Sequence, residues 1–522
     1  MNLDSLVGKT NLKAIKRALN HLPTGSDALD SAYKDAIDRI ESQSPERCNL
    51  AKKALIWITY AKELLSIKEL EQAVAIELGQ SDLDQENVCD YEDIVSVCAG
   101  LVIADFDDVY PGGFLRLAHY TTQEHLVRNG MKYFPEAQQI MASSCLTYLL
   151  YDAFSGTSCN ARRDPFISEQ DEILCFGCNI CLNDEERGIW NHTGDKDVFD
   201  SWRTLDVCND NLVHRYPFHR YAAWHWGFHS AKSNQDLVQH LTSSLLNDPN
   251  RVLGIYAFLQ HDASNAFRLC TEARNVHSGL AMHLVAFLGL PEVVSRLLED
   301  GIAPDTEDWR GWTPLEVAIE RGFADVSELL VKCCDINHRS TLERITPLMA
   351  AVRQDNAAIV QQLLAHRYIE VNVQNSTGST ALHNAILWGY PQIMKLLLAH
   401  NDIDITIQDM LGKAPIHQAL QSWLPGMSQL LLARDDVKIN VRDEQGETPI
   451  YQAVKMGNAE VVRLLLARED LKVGTDNGEV EELISAAETK IIARRKVKYE
   501  EITKLLRSHF RLEQGPVTTS ET

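Results

Sequence analysis

The hexapeptide Thr313-Pro314-Leu315-Glu316-Val317-Ala318 constrains this 522-residue chain more than any other stretch, because it keeps returning. It comes back as Thr346-Pro347-Leu348-Met349-Ala350-Ala351, Thr380-Ala381-Leu382-His383-Asn384-Ala385, Ala414-Pro415-Ile416-His417-Gln418-Ala419 and Thr448-Pro449-Ile450-Tyr451-Gln452-Ala453, at spacings of 33, 34, 34 and 34 residues. One period before Thr313 stands Leu280-Ala281-Met282-His283-Leu284-Val285, a worn copy without Thr-Pro. A fixed period of this size marks a solenoid, whose units are too small to bury an apolar face alone and so stack on their neighbours.

Within a unit the residues predict two short helices. Thr caps the first, and Pro occupies its first turn, where a missing N–H costs nothing. Gly289, Gly322, Gly389 and Gly457 mark the turn between helices, while Asp355 and Trp423-Leu424-Pro425 stand there in the third and fifth units. The second helix carries the apolar run, for example Ile359-Val360 with Leu363-Leu364, or Ile393 with Leu396-Leu397-Leu398. This pattern resembles the ankyrin repeat, in six copies across residues 276–478. The resemblance implies that His283, His383 and His417 tie adjacent repeats by hydrogen bonds, and that joints where Glu316, Met349 and Tyr451 replace this His are looser. None of these His residues is expected to be a catalyst or a metal ligand.

At this length two or three domains are expected. The net charge of −23 disfavours phosphate backbones and anionic lipid surfaces, so neither nucleic acid nor membrane is an expected partner. No stretch reaches the ~18 apolar residues of a membrane span. Met1-Asn2-Leu3-Asp4 does not open a signal peptide. With 12 dispersed cysteines, the chain reads as a cytoplasmic protein with free thiols.

Residues 1–45 are expected to form a helical arm, with Leu29, Ala32, Tyr33, Ala36, Ile37 and Ile40 on one helix face. Gly8-Lys9-Thr10 is not a phosphate loop, because Leu3 stands where that motif needs its first Gly. Residues 46–135 predict a winged-helix domain. An apolar helix passes through Leu55-Ile56-Trp57-Ile58. The capping box Ser66-Ile67-Lys68-Glu69 opens a second, bearing Ile67, Leu70, Val74 and Leu78 up to Gly79. A third runs from Tyr91 to Ala99, and Leu101–Asp105 with Leu115–His119 then read as a hairpin. Such modules often read DNA, but nine Asp or Glu and no Lys or Arg lie between Gln80 and Pro111, so phosphate would be repelled.

Ser81-Asp82-Leu83-Asp84, His119-Tyr120-Thr121-Thr122 and Tyr221-Ala222-Ala223-Trp224-His225-Trp226-Gly227-Phe228-His229 carry a second resemblance, over roughly residues 1–245. They are similar to the winged-helix region that follows the nucleotide-binding domain in fungal NACHT–ankyrin proteins, a region named after the inositol deacylase of glycosylphosphatidylinositol anchors. The resemblance implies a sensor of the NLR-like kind, in which a nucleotide module switches and the repeats recognise. It does not imply the deacylase activity. Gly156-Thr157-Ser158-Cys159-Asn160 lacks the final Gly of a hydrolase nucleophile elbow, so no catalytic residues and no cofactor are expected.

Residues 136–275 are predicted as a helical linker domain in which Trp224, His225, Trp226 and His229 pack rather than form a ligand pocket. An insertion at 155–211 contains Cys175, Cys178 and Cys181. Free thiols on a surface segment are expected there; zinc is the alternative, with Cys159, His192, Cys208 or His214 as fourth ligand. Residues 479–510 fit capping helices over the end of the solenoid, and 511–522 a disordered tail. Arg494-Arg495-Lys496-Val497-Lys498 reads as a solvated helix face, with a nuclear address as the alternative.

Recognition in ankyrin arrays falls on the turn tips and the concave face of the first helices. The resemblance therefore points to Trp309, Arg310 and Trp312 at one tip, Met410 and Leu411 at another, and Leu387 and Trp388 before a turn. Aromatic, apolar and Arg side chains of this kind anchor interfaces. Trp309 and Trp312 suit a second role equally, covering the join to the worn first repeat. The sequence thus predicts a mainly α fold, a winged-helix and helical platform followed by an ankyrin-repeat α-solenoid, acting as a non-catalytic scaffold for a protein partner. The alternative is the downstream sensor portion of a NACHT-type signalling protein, associated with an NTPase that was lost or lies on another chain.

Overall fold

The computed structural model describes residues 26–106, 112–154, 216–233, 236–260, 279–308, 310–421, 425–473, 477–491 and 496–510. The first half of the arm, the Cys175-Cys178-Cys181 cluster, Trp309, Trp423, Arg494-Arg495 and the 511–522 tail lie outside these residues. The chain is mainly helical and divides into two compact units, Met1–Glu292 and Val293–Thr522.

In the first unit, α1 (Ser26–Glu41) turns Ala36, Ile37 and Ile40 into the core. Helices α2 (Pro45–Tyr60), α3 (Ile67–Ala75) and α4 (Tyr91–Val97) lead to the antiparallel strands β1 (Val102–Asp105) and β2 (Phe114–Leu117), with Val102 opposite Leu117 and Asp105 opposite Phe114. Three helices and a hairpin make the winged helix. Alternation along the strands buries Val102, Leu115 and Leu117 and leaves Ile103 and Arg116 exposed, as a half-buried sheet requires. The capping box forms as read: Ser66 N donates to Glu69 Oε2 at 2.8 Å, and Glu69 N to Ser66 Oγ at 3.3 Å.

Several boundaries differ from expectation: α4 ends at Val97 rather than Ala99, and β2 ends at Leu117 rather than His119. Helix α3 stops at Ala75 instead of running to Gly79, and Leu78 is exposed. Lys53 of α2 explains it: its ammonium donates to the carbonyls of Val74 and Ile76, at 3.0 and 3.3 Å, satisfying acceptors that a helix end leaves open. Ile76 then turns extended and is buried.

The same unit continues with α5 (Tyr120–Arg128), α6 (Gly130–Tyr133), α7 (Ala137–Leu149), α8 (His219–Ala231), α9 (Asp236–Leu246), α10 (Pro249–Leu259) and α11 (Leu280–Leu288). Helix α8 lies along α7, and the Trp57 ring meets Phe218 and Tyr221 edge-on at 5.2 and 5.5 Å. The inner side of the aromatic run is therefore core, while Trp224, His225 and Phe228 are half-buried. Tyr221 and Trp226 are fully buried, and His229 sits between Tyr221 Oη (2.9 Å) and Gln138 Oε1 (2.8 Å). Burial pushes the His229 pKa down to about 3, so the ring is neutral. Helix α11, from the worn first repeat, packs on α10 and α8.

The second unit is a stack of helix pairs. After α12 (Pro291–Glu299) come α13 (Pro314–Glu320) with α14 (Ala324–Val331), α15 (Pro347–Arg353) with α16 (Ala357–Leu364), and α17 (Ala381–Leu387) with α18 (Pro391–Leu398). The pairs α19 (Pro415–Gln421) with α20 (Pro425–Leu432), and α21 (Pro449–Met456) with α22 (Ala459–Leu466), complete the stack. First helices touch first helices and second touch second, so Val326, Leu330, Ile359, Leu363, Ile393, Leu397, Met427, Leu431, Val462 and Leu465 form one continuous buried stripe. Beyond them α23 (Asn477–Ile491) packs on α21 and α24 (Lys496–His509) on α22, with Tyr499 Oη donating to Lys455 O at 3.0 Å.

Local chemistry sets each pair. Thr313, Thr346, Thr380 and Thr448 accept hydrogen bonds from the backbone N–H three residues on. The inter-helix turn needs a left-handed residue, supplied by Gly289, Gly322, Gly389 and Gly457 at φ between +69° and +77°. In the third unit Asp355 is held in the same region, at φ +50°.

Candidate partner-binding groove

The turn tips are tied down by hydrogen bonds from both side chain and backbone. At the fifth tip Asp409 Oδ1 accepts the N–H groups of Leu411 and Lys413, both at 2.9 Å, and Gly412 takes φ +68°. Successive tips are also joined to each other: Met410 N donates to Thr377 O, and Glu444 N to Leu411 O, both at 3.0 Å. A Cβ on Gly378 would lie 2.7 Å from Met410 N, so glycine there permits the close approach. With the tip backbone so engaged, Met410 and Leu411 point outward, 65% and 50% exposed.

Facing them is the end of α17. Trp388 terminates that helix, its N–H returning to Asn384 O at 3.0 Å, and its ring leans on Tyr390 with centroids 6.2 Å apart. Leu387 is 61% and Trp388 39% exposed. Leu387, Trp388, Met410 and Leu411 together line a groove of about 800 Å³, completed by residues including Thr377, Lys413, Gln418 and Gln421. Lys413 Nζ donates to Gln421 Oε1 at 3.1 Å, and the Gln418 amide oxygen is buried without a hydrogen-bond partner among the described residues.

The other candidate tip is built differently. Asp308 Oδ1 accepts the N–H groups of Arg310 (2.8 Å) and Trp312 (3.0 Å), and Trp312 is buried. The guanidinium of Arg310 lies 4.2 Å from the Trp312 ring centroid and that of Arg353, from the next repeat, 5.3 Å. Arg353 is paired in turn with Glu320 at 2.7 Å and Glu343 at 3.8 Å. Arg310 and Trp312 thus do not line the groove that Leu387 and Met410 share.

The joints between repeats hold the groove in register. His383 Nε2 meets Lys413 O at 3.1 Å and His417 Nε2 meets Val441 O at 3.1 Å. Thr380 N and Ala414 N donate to the Nδ1 atoms of those two rings, at 3.2 Å each, so Nε2 carries the proton and donates. Burial lowers the pKa of both. His283 Nδ1 lies 3.2 Å from Gly279 O, and its ring packs on Tyr256.

At Glu316 the joint is not loose. His338, from the following repeat, places Nδ1 3.0 Å from Glu316 Oε2 and Nε2 3.1 Å from Glu307 Oε1. A ring with a carboxylate at each nitrogen is an imidazolium, and its hydrogen bond to Glu316 lifts the His338 pKa to about 9. Burial raises the Glu316 pKa, and His338 opposes that rise.

Asparagines add a second tie. Asn372 Nδ2 donates to Asp402 O (2.7 Å) while its Oδ1 accepts Asp404 N (2.9 Å). Asn337 bridges Tyr368 O and Glu370 N in the same way, and Asn440 bridges Asp470 O and Lys472 N. Thr406 stands at the corresponding place one repeat after Asn372.

Sequence reasoning passed over Lys413, Gln418, His338 and the Asn ties. Asn337, Asn372 and Asn440 recur at nearly the repeat period, which was a usable signal. His338 offers none, because its partner Glu316 lies in a different repeat.

Comparison with known proteins gives the same architecture. Residues 39–134 match the family described as GPI inositol-deacylase, winged helix domain. Residues 228–341 and 332–409 match ankyrin repeats (3 copies), and 427–466 match ankyrin repeats (many copies). The chain is 27% identical to "Ankyrin repeat and SAM domain-containing protein 6" of Danio rerio over 177 residues, 32% of this chain and 24% of that protein. It is 34% identical to "Neurogenic locus notch homolog protein 4" of Homo sapiens over 99 residues, 18% of this chain and 5% of that protein. The third relative is "Neurogenic locus notch homolog protein 1" of Xenopus laevis, 30% identical over 105 residues, 20% of this chain and 4% of that protein. The chain therefore spans less than a quarter of the length of these relatives. It carries ankyrin repeats and a winged-helix domain. No helix among the described residues is long and apolar enough to cross a membrane.

Proposed function

We propose that this chain is a non-catalytic interaction protein, and that a protein partner docks in the groove of Leu387, Trp388, Met410 and Leu411. One observation carries the reading. Two pairs of large apolar side chains, from consecutive repeats and each between 39% and 65% exposed, converge on a single groove whose turn tip is tied by backbone hydrogen bonds to its neighbours. Clustered apolar exposure on a rigid frame is costly unless another surface covers it. The likeness to ankyrin-repeat proteins supports the same role.

The test is a pair of variants of the full chain, Trp388→Ala and Leu387→Asp, used as bait beside the natural protein. Proteins retained by the natural chain should bind at least about 10-fold more weakly to either variant, as for a buried anchor residue, with the melting temperature unchanged. Unchanged retention would remove the groove from the interaction. A fall in melting temperature of either variant would make these side chains packing residues instead.

A second reading is favoured by the winged-helix match at residues 39–134: the chain is the recognition part of a nucleotide-switched sensor, working with an NTPase of the NACHT type. Association of a P-loop protein with the full chain that changes between ATP and ADP would support it.

A further inference from the structure

Resting on that groove reading, we infer that the partner segment sets an Asp or Glu side chain beside its apolar anchors, to meet Lys413. Lys413 is the cation among the groove-lining residues, and its ammonium is held by a neutral amide, Gln421 Oε1 at 3.1 Å. The same two positions one repeat later carry Glu447 and Lys455, which pair at 2.5 Å. Where the sixth repeat neutralises its charge internally, the fifth therefore leaves a cation facing the groove. Asp409, the lining anion, has Oδ1 engaged by two backbone N–H groups that fix the tip. On the other side, the chain from Val371 to Met394 contains no charged residue. A positive charge beside an apolar groove recognises a carboxylate next to large apolar side chains, despite the acidic balance of the whole chain.

The experiment is selection of random 16-residue peptides displayed on phage against four forms of the full chain: natural, Lys413→Gln, Lys413→Glu and Leu387→Asp, each first shown to melt at the natural temperature. Peptides enriched on the natural chain and lost on Leu387→Asp should carry two or more large apolar residues and an Asp or Glu at a fixed distance. Replacing that acid by its amide should weaken binding to the natural chain by about 2–5-fold, and to Lys413→Gln hardly at all. Lys413→Glu should select Lys or Arg at the same place. Groove-binding peptides without an acid, or with one whose neutralisation costs the same on Lys413→Gln, overturn this inference alone. Failure of any peptide to enrich, or enriched peptides indifferent to Leu387→Asp, overturns the groove reading beneath it.

Discussion

Replacing His338 by Ala tests how the repeats are joined where the family's His is absent. The ring lies between Glu316, whose side chain is 1% exposed, and Glu307, which is half exposed. Its pKa is about 9 in the folded chain. Taking an unfolded value of about 6.5, linkage assigns the ring roughly 3 kcal/mol of stability at pH 6, over about 2 at pH 7 and under about 1 at pH 9. Solvent screening on the Glu307 side reduces the pH 6 figure to about 2 kcal/mol. The sign follows from the direction of the shift: a raised histidine pKa contributes fully below the unfolded value and is lost as pH climbs through the folded one. Urea unfolding of the full chain at pH 6, 7.5 and 9 measures the gap between natural protein and variant. Hydrogen exchange at neutral pH places the loss in peptides covering residues 308–340, which matters in a chain of two units where one global free energy is not defined. A variant as stable as the natural protein at pH 6, or a gap that stays constant to pH 9, would refute the ionic joint.

Two further substitutions probe the frame. Asp355→Gly relieves a left-handed residue at φ +50°, and calorimetry should show a gain of about 0.5–1 kcal/mol; a lower melting temperature would mean that the carboxylate, not the backbone, matters there. Thr406→Asn should extend the asparagine ties by bonding Asp436 O and Lys438 N, adding about 1 kcal/mol and slowing exchange of the Lys438 amide; unchanged exchange would break the analogy with Asn372.

Much of the architecture could be read from the residues because its causes are local. A Thr cap, a Pro in the first turn, a left-handed Gly and an apolar run act within a dozen residues, and their repetition alone dictates helix pairs stacked in a row. The exposure of Leu387 and Met410 was legible for the same reason: each sits where a short helix or turn has no neighbour to cover it. What the residues could not show is who meets whom across repeats. Helix α3 ends early because a lysine on α2 takes its carbonyls. Arg353 reaches the Trp312 ring from the following repeat, and Glu316 is tied because His338 does the same. The end of one repeat's helix faces the next repeat's tip only because the stack sets their spacing. That placement turned four separately exposed side chains into one groove with a lysine at its edge. Contacts of this kind depend on the relative position of whole elements, which no short-range pattern encodes.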